Sequence, residues 1–520
     1  MTSMRKINHG LLGDYDKPLF FSVALVTLAI VLIGVISPDV LKTYAGMIQS
    51  YLSKTFGWAY ILAITTYVAL GLWIGFSKYG NLKLGKAEDK PEFTRFAWVA
   101  MLFSCGIGSG FLLWGVAEPL YHYMQTPYMA EPGTPKAMEV SLQITSMHWG
   151  LHTWMGYCIV GLCIAFPAFR YGKPMTIGTS LHGLLGDKTQ SSIWARLLDL
   201  IGAVATIGGI ATVIGLGVIS LEYGVQHIFG IETGTGSKIG IMVALIAMYC
   251  ISACTGLKRG INYLSTLNVL VMIGICLFIL ISGDTNTILR LFVTGIGNYL
   301  GNILPMAFWA DPSQSSEWIN WWTVFFWLIV ISWSPFVGGF VARISRGRTL
   351  REFVLFAVLT PTVCSMFWFA TIGYTAMQIE AAGDVQLFEA VQQNLGSGIY
   401  LLLETLPAAD LLASVVFFSM VVFLITSADS ASFFVAMQMS KGALEPTISM
   451  KLIWGVFTGI LAIVLLVSGG LQAVQTASIV AGSPFAIGIG FMVWSLLKSL
   501  HHEYEVEFGG SLIVQPVTLS

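Results

Sequence analysis

The sequence predicts an all-α protein that crosses a membrane many times. Of its 520 residues, 56% are hydrophobic and only 10% are charged, whereas a soluble domain carries about 25% charged residues. The mean hydropathy is +0.78. The net charge of −1 gives no sign of nucleic-acid binding. This composition excludes a disordered chain, a disulfide-rich secreted protein and an ordinary soluble enzyme.

The chain contains about twelve apolar runs that are long enough to cross a bilayer, for which about 20 residues are needed. We expect helices, because lipid cannot satisfy the exposed backbone groups of an open strand. The predicted spans are 19–37, 58–77, 95–123, 142–168, 197–226, 237–257, 262–282, 319–343, 351–376, 409–437, 450–468 and 473–498.

Basic residues predict the orientation, because Lys and Arg accumulate in cytoplasmic loops. With both termini in the cytoplasm, 21 of the 26 Lys and Arg residues lie on the cytoplasmic side. The same distribution favours an even number of spans. We expect the first apolar run to be retained, since no small-residue cleavage site follows it.

Three glycines alternate near the middle of the third span, at Gly106, Gly108 and Gly110. One interpretation is close helix packing, since small residues let backbones approach. The other is an unwound segment whose free amides and carbonyls bind a ligand, a device of secondary transporters. Glu118 and Pro119 follow, and we expect Glu118 to cap the end of this span in water.

Aromatic residues cluster in the fourth span. Trp149 and Tyr157 are eight residues apart and share a helix face, and Trp154 lies about 140° away from Trp149. These three side chains predict either one wall of a cation-binding pocket or an interfacial aromatic belt. His148 and His152 have metal-ligand spacing, but without a third ligand we favour packed, hydrogen-bonded histidines.

The eighth span combines tryptophans with Ser334-Pro335-Phe336-Val337-Gly338-Gly339, a pattern that predicts a helix break or kink. Four arginines follow between Arg343 and Arg351. This basic segment predicts either plain cytoplasmic anchoring or an inner gate that contacts anionic lipid.

The tenth span contains Thr426-Ser427-Ala428-Asp429-Ser430. Hydroxyl and carboxylate oxygens at membrane depth suit a hard cation such as sodium. The alternative is that the hydroxyls bond to their own helix and that Asp429 pairs with a cytoplasmic arginine.

These segments together resemble the betaine/choline/carnitine transporter family over nearly the whole chain. The most specific part is Trp333–Gly338 followed by Ala342–Thr349. The supporting matches are Gly85–Phe93, Gly106–Pro119, His148–Tyr157 and Thr426–Ser430.

The resemblance implies two inverted five-helix repeats and a homotrimer, with the helix before the eighth span contributing to the subunit contact. The expected organisation is a cytoplasmic N-terminus (1–18), peripheral helices 1 and 2 (19–77), a first repeat (95–282), an outer loop with an amphipathic surface helix (283–318), a second repeat (319–498) and a short cytoplasmic tail (499–520). Because that tail is nearly free of basic residues, we expect nutrient uptake rather than strong osmotic gating.

The resemblance also implies the binding residues. The expected substrate site consists of Trp149, Trp154, Tyr157, Trp333, Trp327, Gly106, Gly108 and Gly110. Where the family usually has a tryptophan pair, this chain has Ile329 and Val330, which changes one wall of the cage. The expected sodium ligands are the hydroxyls of Thr426 and Ser427 and the carbonyls of Ser104, Ile107 and Phe423. A second sodium site expected on the fifth span keeps Thr206 but has Ile210 in place of its partner, so we expect fewer sodium ions.

The function expected from the sequence is secondary active import of a quaternary-ammonium compound, a related zwitterion or a sulfonium analogue across the bacterial inner membrane. Sodium is the expected coupling ion, no organic cofactor is expected, and the partners are the substrate and membrane lipid. The main alternative is a sodium-independent exchanger of the same family. An intramembrane enzyme that uses His148 and His152 would need carboxylate or cysteine ligands nearby, and a channel would need rings of like ligands.

Overall fold

The computed structural model describes residues 11–107, 109–255, 258–313 and 317–508, without the side chains of 103–107, 255, 258–263, 471, 474, 478 and 508. The α-helices are α1 (Lys17–Ile36), α2 (Pro38–Phe76), α3 (Arg95–Ile107), α4 (Gly110–Met124), α5 (Pro135–Trp149), α6 (Leu151–Arg170), α7 (His182–Leu185), α8 (Ile193–Phe229), α9 (Thr235–Thr255), α10 (Lys258–Ser282), α11 (Thr285–Ala307), α12 (Phe325–Arg343), α13 (Leu350–Val354), α14 (Thr360–Trp368), α15 (Tyr374–Ala382), α16 (Leu387–Gln393), α17 (Gly398–Glu404), α18 (Ala409–Met439) and α19 (Ile448–Phe508). Short 3-10 helices cover Lys78–Asn81, Gly178–Leu181, Gly186–Ser191 and Leu395–Ser397, and π-helical turns cover Asn320–Val324, Leu355–Leu359 and Phe369–Gly373.

Within the described ranges, 11 helical segments are long and apolar enough to cross a membrane. The third predicted span is not among them, because residue 108 lies outside the described residues and its two sides are given as the shorter helices α3 and α4. The last long helix, α19, contributes two segments that meet at Gly470, whose backbone is not helical. The polytopic helical fold predicted from the apolar runs is confirmed.

The contact between α6 and α12 forms the centre of the helix packing. Gly161 and Gly338 meet there: a β-carbon on Gly338 would lie 2.8 Å from the backbone nitrogen of Gly161 and 2.9 Å from the Tyr157 carbonyl oxygen. Glycine at both positions lets the two backbones touch. This contact places Tyr157 and Trp333, on neighbouring turns, beside the same cavity.

Of the break or kink predicted in the eighth span, the break is not found, since α12 runs without interruption through Pro335. A proline removes the hydrogen bond to the carbonyl four residues earlier, here that of Ile331. The Ser334 hydroxyl donates to this carbonyl over 2.7 Å. Ser334 therefore satisfies the group that Pro335 leaves free, and the helix continues.

The basic segment after α12 is largely built into the protein. The Arg348 side chain is only 2% exposed and donates to the Glu352 carboxylate over 2.6 Å. It also donates to the Phe93 carbonyl over 2.8 Å, and its guanidinium lies 4.1 Å from the centre of the Trp98 ring. Arg348 therefore connects the loop before α3 to the loop after α12, which neither sequence interpretation of this segment predicts.

The helix α11 lies before the eighth span and is not among the segments long and apolar enough to cross. Several of its large apolar side chains are exposed, among them Leu289, Val293, Leu300 and Leu304. Its polar side contacts α5, where Asn298 and Asn302 lie 3.4 Å from Glu139 and Gln143. The helix thus presents an apolar surface outward.

Candidate functional site

A cavity of about 70 Å³ lies between α4, α6, α8 and α12. Its lining is mostly aromatic and aliphatic, with one carboxylate. The lining residues are Ser109, Gly110, Leu113, Trp114, Glu118, Trp149, Thr153, Tyr157, Thr212, Val213, Leu216, Trp322, Phe325, Phe326, Ile329, Val330 and Trp333. A buried apolar cavity with few polar groups is the usual form of a small-molecule site.

Three of the predicted cage residues meet at this cavity. Trp149 ends α5, Tyr157 lies on α6 and Trp333 lies on α12. All three side chains are buried. Their rings come from two different spans, so the cavity has aromatic walls on more than one side, and aromatic faces attract cations.

The fourth span is interrupted at Gly150, between α5 and α6. The sequence predicts one continuous helix here. A β-carbon on Gly150 would collide with the Ser146 carbonyl oxygen. The break leaves backbone carbonyls without helical partners. The Thr153 hydroxyl donates to the His148 carbonyl, and the Trp154 indole donates to the Trp149 carbonyl over 3.1 Å.

Trp154 and Trp327 do not lie in the aromatic cage that the sequence predicts. Trp154 is not among the cavity-lining residues and instead binds the end of α5. Trp327 is fully buried and its ring stacks on His152, with ring centres 5.4 Å apart. In the described part of the chain neither ring nitrogen of His152 has a hydrogen-bond partner. His152 is thus packed, but the expected hydrogen bonds are not found.

Glu118 is buried in the core, so the expectation that it caps the span in water is wrong. The helix α4 continues past Pro119 to Met124, which places Glu118 inside the bundle. The Trp149 indole donates to Glu118 Oε2 over 2.7 Å. Glu118 Oε1 lies 2.7 Å from His148 Nδ1 and 3.4 Å from His122 Nε2. The carboxylate therefore holds Trp149 in place and adds negative charge to the cavity wall.

The three alternating glycines of the third span lie where α3 ends at Ile107 and α4 begins at Gly110. A β-carbon on Gly110 would lie 3.1 Å from the edge of the Trp149 ring, so only a residue this small lets the indole approach. Gly110 and Ser109 line the cavity. Gly108 lies outside the described residues, and Gly106 lies in the part of α3 described as backbone alone.

The expected sodium ligands are only partly described. Thr426 and Ser427 are buried on α18. The Thr426 hydroxyl donates to the carbonyls of Val422 and Phe423, at 2.9 Å and 3.2 Å. Ser104 and Ile107 belong to the backbone-only part of α3. Asp429 on the same helix accepts a hydrogen bond from Ser252 over 3.3 Å rather than pairing with an arginine.

A wider vestibule of about 650 Å³ adjoins the cavity. It is also rich in aromatic side chains and shares Trp114, Trp322 and Phe325 with the cavity. Glu317, which lies at the far end of the eighth span, lines the vestibule. The shared residues show that the vestibule and the cavity are neighbouring spaces separated by aromatic side chains.

Two features of the site were missed by sequence reasoning. Gly209 on α8 lies against the Trp333 indole, since a β-carbon there would be 2.6 Å from Trp333 Cδ1. The Glu118–Trp149 contact joins residues that are 31 positions apart. Both are tertiary relations, and only the choice of glycine and of a carboxylate in an apolar run could have suggested them.

Comparison with known proteins gives a consistent result. Residues 18–505 match the family described as BCCT, betaine/carnitine/choline family transporter. The chain is 40% identical to the glycine betaine transporter OpuD of Bacillus subtilis (strain 168) over 93% of this chain and 94% of the relative. It is 35% identical to the ectoine/hydroxyectoine transporter of Virgibacillus pantothenticus over 93% of this chain and 96% of the relative. It is also 34% identical to the high-affinity choline transport protein of Escherichia coli (strain K12) over 96% of this chain and 74% of the relative.

These relatives are transporters and the family is not enzymatic. The match covers nearly every helix described above, including those that line the cavity. The chain belongs to the betaine/carnitine/choline transporter family and is a multi-pass membrane transport protein.

Proposed function

We propose that the protein imports a small quaternary-ammonium compound or a related zwitterion by sodium-coupled alternating access across the bacterial inner membrane. One observation carries the proposal: Trp149, Tyr157 and Trp333 meet at a buried cavity whose wall includes the Glu118 carboxylate. Aromatic faces and a carboxylate both attract a cation that has lost its water shell.

The size of the cavity supports a small solute. A volume of about 70 Å³ holds roughly five water molecules, which suits a compact solute rather than a peptide or a lipid. The relatives named above are transporters of glycine betaine, of ectoine and of choline. These names define the panel of compounds to test first.

The cavity wall that has aliphatic residues in place of the family's tryptophan pair favours a substrate other than the bulkiest trimethylammonium compounds that the family transports. Ile329 and Val330 line the cavity, where the resembling family usually has a tryptophan pair. Aliphatic side chains provide dispersion contacts but no negative aromatic face. We therefore expect this wall to contact methyl or methylene groups, while Trp149, Tyr157 and Trp333 contact the charged centre.

Sodium coupling is proposed through α18. Thr426 and Ser427 are buried there next to the carbonyl oxygen of Phe423, within 3.2 Å of the Thr426 hydroxyl. Oxygen donors of this kind suit a hard cation. Carbonyls of Ser104 and Ile107 at the end of α3 are the proposed remaining ligands, so bound sodium would join the third span to the tenth.

Alternating access is proposed because the cavity adjoins open space on one side and packed side chains on the other. On one side it adjoins the open vestibule. Toward the cytoplasmic side predicted from the basic loops, aromatic rings fill the space between α12 and α18, with Trp333, Phe336 and Phe434 in sequential contact at 6.3 Å between ring centres. Movement of these rings would open the cavity to the second side. The exposed apolar face of α11 is the proposed contact of a homotrimer.

The test is uptake of labelled glycine betaine, choline, carnitine and ectoine into proteoliposomes, with and without an inward sodium gradient. We expect uptake of at least one compound and its stimulation by sodium. Uptake that is accelerated by internal substrate and is indifferent to sodium would replace symport by exchange.

Variants test the assigned residues. W149L and W333L should each raise the substrate KM by roughly 30-fold, corresponding to about 2 kcal/mol of cation–π attraction. W58L, which changes a 60% exposed side chain, is the matched control. T426A should lower the affinity for sodium, whereas T458A removes a similar intrahelical hydroxyl bond on α19 and should not. Unchanged affinity in W149L and W333L would contradict the proposed substrate site.

A further inference from the structure

We propose that Glu118, His122 and His148 form a binding site for a divalent transition-metal ion such as Zn²⁺, and that the bound ion inhibits transport. The metal site stands on the geometry of these three residues, whereas the inhibition rests on the proposed function. One carboxylate and two imidazoles are a common ligand set for zinc.

The three residues bring their ligand atoms together in the buried core. One ligand atom from each lies within 4.8 Å of the others, and all three side chains are at most 1% exposed. Around a tetrahedral ion with bonds of 2.0–2.1 Å, ligand atoms are about 3.3 Å apart. Glu118 Oε1 lies 2.7 Å from His148 Nδ1 and 3.4 Å from His122 Nε2. Small side-chain adjustments therefore suffice to admit an ion.

His122 is the residue that is least satisfied without an ion. Its Nε2 has only the long 3.4 Å contact to Glu118, and its Nδ1 is a buried atom without a hydrogen-bond partner in the described ranges. A metal bond at Nε2 would replace this long contact with a short one, and Nδ1 would carry the proton of the neutral ring.

The neighbouring groups fit a metal-bound state. His148 Nε2 lies 3.1 Å from the Thr323 hydroxyl, so its proton can rest on Nε2 while Nδ1 binds the ion. Metal-bound histidines usually have such a partner on the second nitrogen. Glu118 binds the ion through Oε1 alone, because Oε2 accepts the Trp149 indole N–H over 2.7 Å.

Two tryptophan rings separate the cluster from the vestibule, so an ion would enter from the vestibule when these rings move. The His122 ring packs on Trp322 and Trp318, at 4.6 Å and 5.3 Å between ring centres. Both tryptophans line the vestibule, and Glu118 lines the inner cavity. A water molecule from this space can supply the fourth ligand.

Inhibition follows from charge. Glu118 contributes negative charge to the cavity that contains Trp149 and Trp333. A divalent ion on the same carboxylate reverses the local charge and repels a cationic solute. Zinc should therefore raise the KM for substrate, and a chelator should restore it.

The direct test is zinc titration by calorimetry on the purified full-length protein, stripped with EDTA and freed of any affinity tag. We expect one ion per chain at this cluster, with binding weakened about 10-fold or more in H122Q and in H148Q. H227Q is the matched control, because His227 also lies beside a carboxylate, 3.3 Å from Glu404. The double substitution H501Q/H502Q removes two exposed histidines near the end of α19 and should leave this binding unchanged.

Zinc X-ray absorption on the wild type decides the ligands even where a variant does not fold. Two imidazoles with oxygen are expected, and sulfur or all-oxygen coordination would overturn the proposal. Zinc binding lost only in H501Q/H502Q would also overturn it. If uptake depends on pH through this cluster while zinc does not bind, the cluster is a proton site and the metal proposal fails. Failure to transport any tested amine would contradict the proposed function but not the titration.

Discussion

The contact between Gly209 and Trp333 offers a sharp test of how the aromatic cage is positioned. In G209A, the new β-carbon would lie 2.6 Å from Trp333 Cδ1 and 3.0 Å from its Nε1. Ordinary van der Waals contact begins at 3.4 Å, so the indole has to move by about 0.8 Å. Because α8 is a helix whose backbone is packed on both sides, the ring is the part that can move.

The expected magnitude follows from the cost of overpacking, which is typically about 1–3 kcal/mol. If the displaced indole no longer fits the substrate, substrate binding should weaken by roughly 5- to 150-fold. Equilibrium binding of glycine betaine, choline and ectoine, measured by calorimetry or tryptophan fluorescence, gives this number. Thermal unfolding of the same samples separates a loss of affinity from a loss of stability.

Two control substitutions make the result specific. G240A lies on α9, where a β-carbon meets nothing within 4 Å, and G208A meets Ala481 of α19 instead of Trp333. Both remove a helical glycine as G209A does, so both share any gain in helix propensity. Affinity in G209A within about twofold of these controls would refute the idea that α8 sets the position of Trp333.

Three further predictions concern single charged groups. E118Q should weaken choline binding by roughly tenfold and glycine betaine binding less, because only choline lacks a compensating negative charge; equal losses in a competition assay would contradict this. R348A should destabilise the protein by about 1–3 kcal/mol, since it removes a buried side chain that donates to the Phe93 carbonyl and to Glu352, while Arg95 still pairs with Glu352. R346A changes a side chain that is 57% exposed and should cost little; chemical unfolding compares the two variants. The Lys86 backbone N–H, together with Arg346, lowers the pKa of Asp89. The ionised Asp89 carboxylate therefore stabilises the fold at neutral pH, and this stabilisation is lost as the pH falls through the lowered pKa. The difference in Tm between the wild type and D89N should shrink on acidification.

The fold could be predicted because each spanning helix needs its own apolar run. The length of a run is a local property, and the 11 long helical segments of the described residues correspond to every predicted span except the third. The interruption at Gly150 could not be predicted in this way, because Pro135–Arg170 as a whole is apolar enough for one continuous span. Its signal lies in the hydroxyl of Thr153 and the indole of Trp154, which bind the freed carbonyls.

The candidate site was predictable only in part, since a cage depends on which side of a helix faces the cavity. Trp149, Tyr157 and Trp333 reach the cavity, but Trp154 does not, because the break at Gly150 changes its direction relative to Trp149. Glu118 shows the opposite limit. A carboxylate near a proline resembles a helix end, and only the partners on α5 show that it is buried and bonded.

The two walls of the cavity are braced separately. Trp149 ends a short helix and is held by groups of α4, namely the Glu118 carboxylate and the bare backbone of Gly110. Tyr157 and Trp333 are held on the other wall by the backbone contact of Gly161 with Gly338. Although α5 and α6 are separated at Gly150, the Trp154 indole donates to the Trp149 carbonyl, so the end of α5 is held by α4 and by the first turn of α6. The interruption of the fourth span therefore lets the Trp149 side chain bond to α4 while its backbone stays attached to the helix that follows it.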